Sequence, residues 1–304
     1  LPAFARDYPR MPKPPIFSII TVTYNSAAHF RPMLEALFSQ TPGLFEAILV
    51  DNASTDNSVA IAREYEHKGL RIIQNTENRG FAGANNQGAK LARGRILFLL
   101  NPDAVLPSGA LEEILEQLRR LRKAGVFGLR LLSLDGERLM HYGVFHMDDQ
   151  AHCLMPYRGR KEKGLYEEVR SVESLSGATM VIPRRVWERL GGFDERFHPA
   201  YFEDTDLCFR ARRAGFGVYS LPVNVRHHEN VSADVKSWFF LHMHHRHRWL
   251  FMAIHFPLWR LLLRTLPKEL AWLMSWRSKM VRKITVRAMV AVLPVLGRRL
   301  LGLR

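Results

Sequence analysis

Along the first hundred positions, short apolar runs alternate with stretches whose apolar residues recur at helical spacing. The runs at 17–22, 47–50, 71–73 and 96–100 read as strands, and the stretches near 30–39, 57–66 and 81–92 read as amphipathic helices. This alternation predicts an α/β domain with a mainly parallel, Rossmann-like central sheet, because parallel neighbours need crossovers and the crossover helices cover the sheet faces. Ligands of such sheets collect beyond the carboxyl ends of the strands. Those ends carry Thr23-Tyr24-Asn25, Asp51-Asn52 and Asn101-Pro102-Asp103. Ordinary turn chemistry explains one Asx-rich strand end more readily than three.

The periodicity breaks between about 135 and 173, where Gly143, Gly159 and Gly164 sit among several charges, and the segment reads as a long connection or substrate-facing loops. It resumes as a strand over 176–183, a helix over 184–190 closed by Gly191-Gly192, and a helical pattern through Leu207, Phe209, Ala211 and Ala214. Beyond 237 the chain becomes a set of helices rich in Trp, Leu and Arg, broken near Pro257, Pro267 and Pro294. The expected organisation is an N-terminal extension over 1–15, a catalytic domain over 16–235 and a basic amphipathic helical region over 236–304.

Charge sharpens the last division. The chain has 44 Lys and Arg against 29 Asp and Glu, but 14 of the basic residues and only one acidic residue, Glu269, fall in 236–304. A basic excess confined to one end calls for a polyanionic partner there. Nucleic acid would explain the charge but not the interleaved bulky residues of Leu258-Trp259-Arg260-Leu261-Leu262-Leu263-Arg264, so an anionic membrane surface is the expected partner and nucleic acid is not. The alternative is that these helices pack on the catalytic domain, or on a second copy of the chain as a homodimer. Two cysteines, Cys153 and Cys208, are too few for a disulfide framework and favour a reducing compartment. Residues 1–15 hold five prolines and no apolar core of a secretory signal, and no apolar run reaches the roughly 18 residues of a membrane-spanning helix. A cytoplasmic protein lying on the inner face of a membrane is the expectation.

Several residues suit the transfer of a group from a nucleoside diphosphate, which needs charge neutralisation on the leaving diphosphate and removal of a proton from the attacking hydroxyl. Asp103, at the end of an apolar strand, suits a single-carboxylate anchor for Mg²⁺ or Mn²⁺, and equally suits an Asn-Pro-Asp turn capping a helix that begins near Ser108. Asn78-Arg79-Gly80-Phe81-Ala82-Gly83 joins a strand to a helix, either as a phosphate approach or as a tight connection. Glu203-Asp204-Thr205-Asp206 crowds carboxylates at a helix start, for capping or for a general base. His242, His244, His245 and His247 lack the spacing of one metal site and read as a basic face.

Taken in order, Ser18-Ile-Ile-Thr-Val-Thr-Tyr-Asn25, Val50-Asp-Asn-Ala-Ser-Thr-Asp56, the segment from Asn78 to Asn86, Leu99-Leu-Asn-Pro-Asp103, Ser176-Gly-Ala-Thr-Met180, Gly192-Phe-Asp-Glu-Arg-Phe197 and Glu203-Asp-Thr-Asp-Leu-Cys208 resemble family 2 glycosyltransferases of the GT-A fold. More narrowly they resemble bacterial rhamnosyltransferases of the cell-wall and O-antigen type. The resemblance spans roughly 16–235. It implies an inverting transferase in which Thr23, Tyr24, Asn25, Asp51 and Asn52 bind the nucleotide of the donor, with Arg79 and Gly80 near the diphosphate or ribose. Asp103 then takes the metal position of the Asp-x-Asp motif and Asn101 replaces its first Asp. Asp204 becomes the catalytic base. Glu203, Gly177 and Asp206 fall on the acceptor side, Asp206 chiefly as support for the helix start, and His227 reaches the metal with His228 as its competitor. The implied donor is dTDP-rhamnose, with a UDP-hexose or UDP-galactofuranose next, and the acceptor a lipid-linked or cell-envelope glycan. A non-catalytic nucleotide- or glycan-binding protein is the reading from another class.

Overall fold

The structure is a computed structural model that describes residues 14–121, 125–164, 166–228, 237–275 and 279–302. The N-terminal extension, apart from residues 14 and 15, and the 235/236 boundary lie outside the described residues.

The four expected strands form as β1 (Phe17–Thr23), β2 (Phe45–Asp51), β3 (Leu70–Gln74) and β4 (Ile96–Leu100), paired in parallel in the order β3-β2-β1-β4. The crossovers between them are α1 (Ala27–Phe38), α2 (Ser58–Arg63) and α3 (Gly80–Leu91). Period-two alternation sorts the layers. Phe17 and Ile19 of β1 pack with Phe30 and Leu34 of α1 and with Leu111 of α4 (Ala110–Arg120), whereas Ile20 packs on the opposite face with Ala84 and Ala89 of α3. The α3 layer lies so close to the sheet that a Cβ on Gly88 would stand 2.6 Å from Ile20 Cγ2.

The sheet continues through the strand Gly125–Leu132, whose burial at every position hid it from pattern reading, through the expected strand near 176–183, and through shorter or partly exposed strands. After β5 (Ala104–Val105) come β6 (Gly125–Leu132), β7 (Leu139–His141), β8 (His146–Met147), β9 (Cys153–Leu154), β10 (Arg170–Ser171), β11 (Thr179–Pro183) and β12 (Gly217–His227). The order from β4 onward is β4-β11-β6-β12-β10. β11 runs antiparallel to both neighbours, a departure from the all-parallel half that alternation predicts. Among its described residues the stretch between β6 and β11 holds no crossover helix, and an antiparallel neighbour needs none. That stretch, untraced from sequence, contains β7 on the edge of β6 and the two-stranded β8–β9 hairpin.

On the second face α5 (Arg184–Leu190) and α6 (Glu203–Arg213) join α3. The helices after 237 are α7 (Trp238–His255), α8 (Leu258–Arg260), a π-helical turn Leu261–Thr265, α9 (Leu266–Met274), α10 (Lys279–Ala291) and α11 (Leu293–Leu300). Their buried side places Trp249, Phe251, Phe256, Leu261, Ala288 and Val292 in one core with Phe197 and Phe202 of the preceding domain. A buried ion pair, Arg248 to Glu269 at 2.5 Å, joins α7 to α9, and Asp149 takes Arg260 at 2.9 Å and Lys268 at 2.7 Å. Their other side exposes Trp259, Leu262, Leu263 and Met274. Among the described residues no helix is long and apolar enough to cross a membrane.

Candidate active site

The parallel strands bring Thr23, Asp51 and Asn52 to one edge, and a buried network fixes them. Thr23 Oγ1 donates to Asp51 Oδ1 at 3.1 Å, and the Ser54 N–H donates to Asp51 Oδ2 at 3.1 Å. Asn52 Nδ2 donates to the Gly80 carbonyl at 3.0 Å, while its Oδ1 accepts from Asn75 Nδ2 and the Arg79 N–H. One side chain thus ties the end of β2 to the turn entering α3. Gly80 is required there: its φ is +72°, and a Cβ would meet His198 Nδ1 at 2.7 Å and the Pro199 carbonyl at 2.8 Å. Arg79 stands exposed at the first turn of α3. Asn25 adopts a left-handed conformation that lets its side chain accept from the Thr55 N–H.

These elements border a cavity of about 220 Å³ walled by Tyr24, Asn52, Asn78, Phe81, Asn101 and, from α7, Phe239. Thr23 and Asp51 are buried beside it and do not line it.

The pairing of β5 with β12 sets Ala104 opposite His227 and so draws His227 to the neighbouring Asp103. His227 Nε2 lies 3.2 Å from Asp103 Oδ1, and both atoms are buried without a hydrogen-bond partner. Two orphaned donor atoms of this kind fit a divalent cation that takes its remaining ligands from phosphate oxygens and water. Among the described residues no group of three or more His, Cys, Asp or Glu is gathered to hold a metal, so the chain offers this pair. His228 is turned elsewhere, stacked on His29 with ring centroids 4.1 Å apart. Asn101 is held by its backbone N–H donating to Ala178 at 2.9 Å.

A second cavity of about 350 Å³ shares Phe81, Asn101, Ala200 and Tyr201 with the first and reaches the N-terminus of α6, where Gly177, Glu203, Asp204 and Cys153 form its wall. Tyr201 and Phe202, at φ of +80° and +72°, hold strained left-handed conformations immediately before the helix. Asp204 Oδ2 accepts from the Gly177 N–H at 2.9 Å, and Oδ1 from the Thr205 N–H at 2.6 Å. Burial raises the Asp204 carboxyl above the usual aspartate range against the pull of those bonds. Burial and the neighbouring Asp204 charge push Glu203 well above the usual glutamate range, and its Oε2 has no hydrogen-bond partner.

Asp206 departs from the acceptor-side placement. Its Oδ2 is paired with Arg210 and its Oδ1 lies 2.7 Å from His255 Nε2, so it faces α7 and is absent from the cavity wall. Two residues after Asp204 on the helix, it points about 200° around the axis from it, to the opposite face.

Phe239 and His244 were not expected at the site. His244, packed against Phe202 and Phe240, faces the Asp204 cavity, and burial lowers its imidazole to about 3. Sequence read His244 with His242, His245 and His247 as one basic face, and four histidines without the spacing of a metal site gave no sign of which one turns to the cavity.

Residues 18–191 match the model of glycosyl transferase family 2. The chain is 27% identical over 272 residues to N-acetylglucosaminyl-diphospho-decaprenol L-rhamnosyltransferase of Mycobacterium tuberculosis, covering 82% of this chain and 88% of that protein. It is 28% identical over 223 residues to the O-antigen chain rhamnosyltransferase WbaN of Salmonella anatum, covering 72% of this chain and 68% of that one. Among solved structures, GalNAc-T7 with UDP, GalNAc and Mn²⁺ superposes with a TM-score of 0.66 at 13% identity, over 91% of this chain and 55% of that chain. At that identity the likeness is one of fold, the GT-A fold.

Proposed function

The chain belongs to glycosyltransferase family 2, and from that premise we propose that it transfers L-rhamnose from dTDP-rhamnose, with inversion, to a hydroxyl of a lipid-linked glycan at the inner face of a bacterial membrane. The observation that carries this reading is the single hydrogen-bonded carboxylate, Asp204, on the wall of one cavity that adjoins a second bordered by the strand-end network. The nucleotide of the donor takes the first cavity, against Tyr24 and Asn52, with Thr23, Asn25 and Asp51 fixing its edge and Arg79 and Gly80 flanking the diphosphate. The acceptor takes the second, beside Gly177 and Glu203.

Asp204 takes the proton of the acceptor hydroxyl as its oxygen bonds to the anomeric carbon. The bond from that carbon to the diphosphate breaks on the opposite face, and the configuration inverts. Raising the carboxyl of Asp204 makes it a stronger base while Gly177 and Thr205 hold it in place. Asp103 and His227 would hold a Mg²⁺ or Mn²⁺ ion, which when bound offsets the charge of the departing diphosphate. Tyr201 and Phe81, shared by both cavities, exclude water from the junction. The exposed Trp259, Leu262 and Leu263 beside Arg260 and Arg264 suit an anionic bilayer surface, where a lipid-linked acceptor resides. The activities of the rhamnosyltransferase relatives support rhamnose and a lipid-linked or O-antigen acceptor.

The test is donor hydrolysis by the purified chain with Mn²⁺, comparing dTDP-rhamnose, UDP-galactofuranose, UDP-N-acetylglucosamine and GDP-mannose. Rhamnose release fastest by at least about tenfold is expected, since a well-read sugar hydroxyl discriminates at that level or above. Faster release from a UDP-sugar would reassign the donor, and no release from any would leave a binding protein.

A further inference from the structure

Beside the β8–β9 hairpin a third cavity, of about 480 Å³, is lined by Arg212 and Arg213 from the end of α6 and Arg260 from α8. Three guanidiniums face one carboxylate, Glu173, whose Oε2 already accepts from the Met147 N–H at 2.8 Å. Arg260 is oriented by Asp149 and by the face of Phe256, whose ring centroid it approaches to 3.9 Å, and Arg213 by the His255 carbonyl at 2.5 Å. Arg212 has its nearest described carboxylate, Glu173, at 3.9 Å, and its side chain is 46% exposed. An electropositive cleft with fixed forked donors binds phosphoryl oxygens.

The spacing between residues that line it and residues that line the Asp204 cavity points to what kind of phosphoryl group. Phe209 lines this cavity and Thr205 the Asp204 cavity, one turn of α6 apart, about 6 Å along the axis. Met147 lines this one and Cys153 the other, and the two are direct partners across the hairpin, about 5 Å apart. One sugar ring bridges such a gap. On the rim, Arg260 is followed by exposed Leu262 and Leu263 and preceded by exposed Trp259, an apolar track leading away from the arginines.

We propose that this cavity holds the diphosphate of the acceptor, that a single sugar separates this diphosphate from the hydroxyl presented to Asp204, and that the prenyl chain leaves over the track at 259–263. This inference rests on the lipid-linked acceptor reading above and adds the acceptor's length and its anchoring residues. A phospholipid headgroup offers the same phosphoryl chemistry, and the experiment separates the two.

The experiment compares two acceptors of the same sugar, one a short-chain prenyl diphosphate ester and one an octyl glycoside without phosphate, in wild type and in Arg212→Lys, Arg212→Gln and Arg212→Glu. The readout is the ratio of kcat/KM for the two acceptors, which cancels changes in folding and donor use. Wild type is expected to favour the diphosphate by at least about tenfold, with the ratio kept in Arg212→Lys, reduced about tenfold in Arg212→Gln and further in Arg212→Glu, as for loss of a charged hydrogen bond. A ratio unchanged in Arg212→Gln and Arg212→Glu overturns the proposal. So does a fall confined to binding of phosphatidylglycerol vesicles, which assigns the arginines to lipid headgroups. Transfer to both acceptors at equal efficiency overturns the diphosphate site while leaving the transferase reading intact, whereas donor hydrolysis with transfer to neither overturns the lipid-acceptor reading itself.

Discussion

His227 Nε2 stands 3.2 Å from Asp103 Oδ1, and neither buried atom has a hydrogen-bond partner. A buried polar atom without a partner forfeits about 1–3 kcal/mol. A cation shared by both would satisfy them. His227→Ala is therefore expected to raise the Mn²⁺ concentration for half-maximal activity by at least about tenfold, the scale on which metal-site substitutions act, whereas His228→Phe, which keeps the stacking on His29, leaves it near the wild-type value. Titration of activity with Mn²⁺ after chelator treatment checks this. Equal effects of the two substitutions would remove His227 from the site.

Asp204 works as a base only when ionised. Its carboxyl is raised above the ordinary range by burial, so activity is lost as pH falls through the raised pKa, and the acid limb of kcat/KM is expected above the roughly 3.9 of an exposed aspartate. Asp204→Asn should lower transfer by roughly 10²–10⁴-fold while nucleotide affinity, measured by calorimetry, stays within about twofold. Retained turnover in that variant would move the base elsewhere.

Glu203 carries a different pH signature. Its folded carboxyl is raised well above the usual range, chiefly by burial and then by Asp204. Below the unfolded pKa both states hold the proton and the group contributes nothing relative to Gln. As pH rises past it, the unfolded chain ionises first and is stabilised relative to the fold by about 1.4 kcal/mol per unit of displacement. Glu203→Gln should then be more stable than wild type in urea melts at pH 8, with the gain vanishing toward pH 4. A gain independent of pH would show that the carboxyl is ionised in the fold.

The pair Arg248–Glu269 is buried on both sides, and Gln150 Nε2 donates to the same Glu269 Oε1 at 3.0 Å. Removing one partner strands the other charge, so Arg248→Met should cost about 3–5 kcal/mol in urea unfolding. Arg248→Met with Glu269→Leu should recover much of that loss. A double variant no better than the sum of the singles would show that the two charges do not act on each other.

The strand ends were legible because β1 to β4 alternate or run apolar over lengths that only strands use, and because Asx residues recur where those strands stop. Arg184–Leu190 was legible through its Gly191 stop, where φ is +77°. β6 was not, since GVFGLRLL is buried at every position and offers no alternation. At the site, Asp204 and Asp103 stood out as carboxylates at element ends. That His227 rather than His228 lies beside Asp103 follows from the register of β12 on β5, a long-range pairing that adjacent positions in sequence do not encode. Asp206 faces α7 because a two-residue step from Asp204 crosses to the opposite side of the helix. His244 and Phe239 belong to the cleft only through the docking of α7, which depends on a core assembled from residues some fifty positions apart.

That docking bears on how such enzymes can exchange parts. α7 gives Phe239 to one cavity and His244 to the next, and its far end is fastened through His255 to Asp206. A crossover between related genes that joins one catalytic body to another's C-terminal helices upstream of α7 separates walls that have to be inherited together. Joints after Phe256 leave the cleft whole, yet they also divide Arg248 from Glu269 unless both parents carry the pair. Joints beyond Glu269 keep both the cleft and this pair intact, so α7 travels with the chemistry.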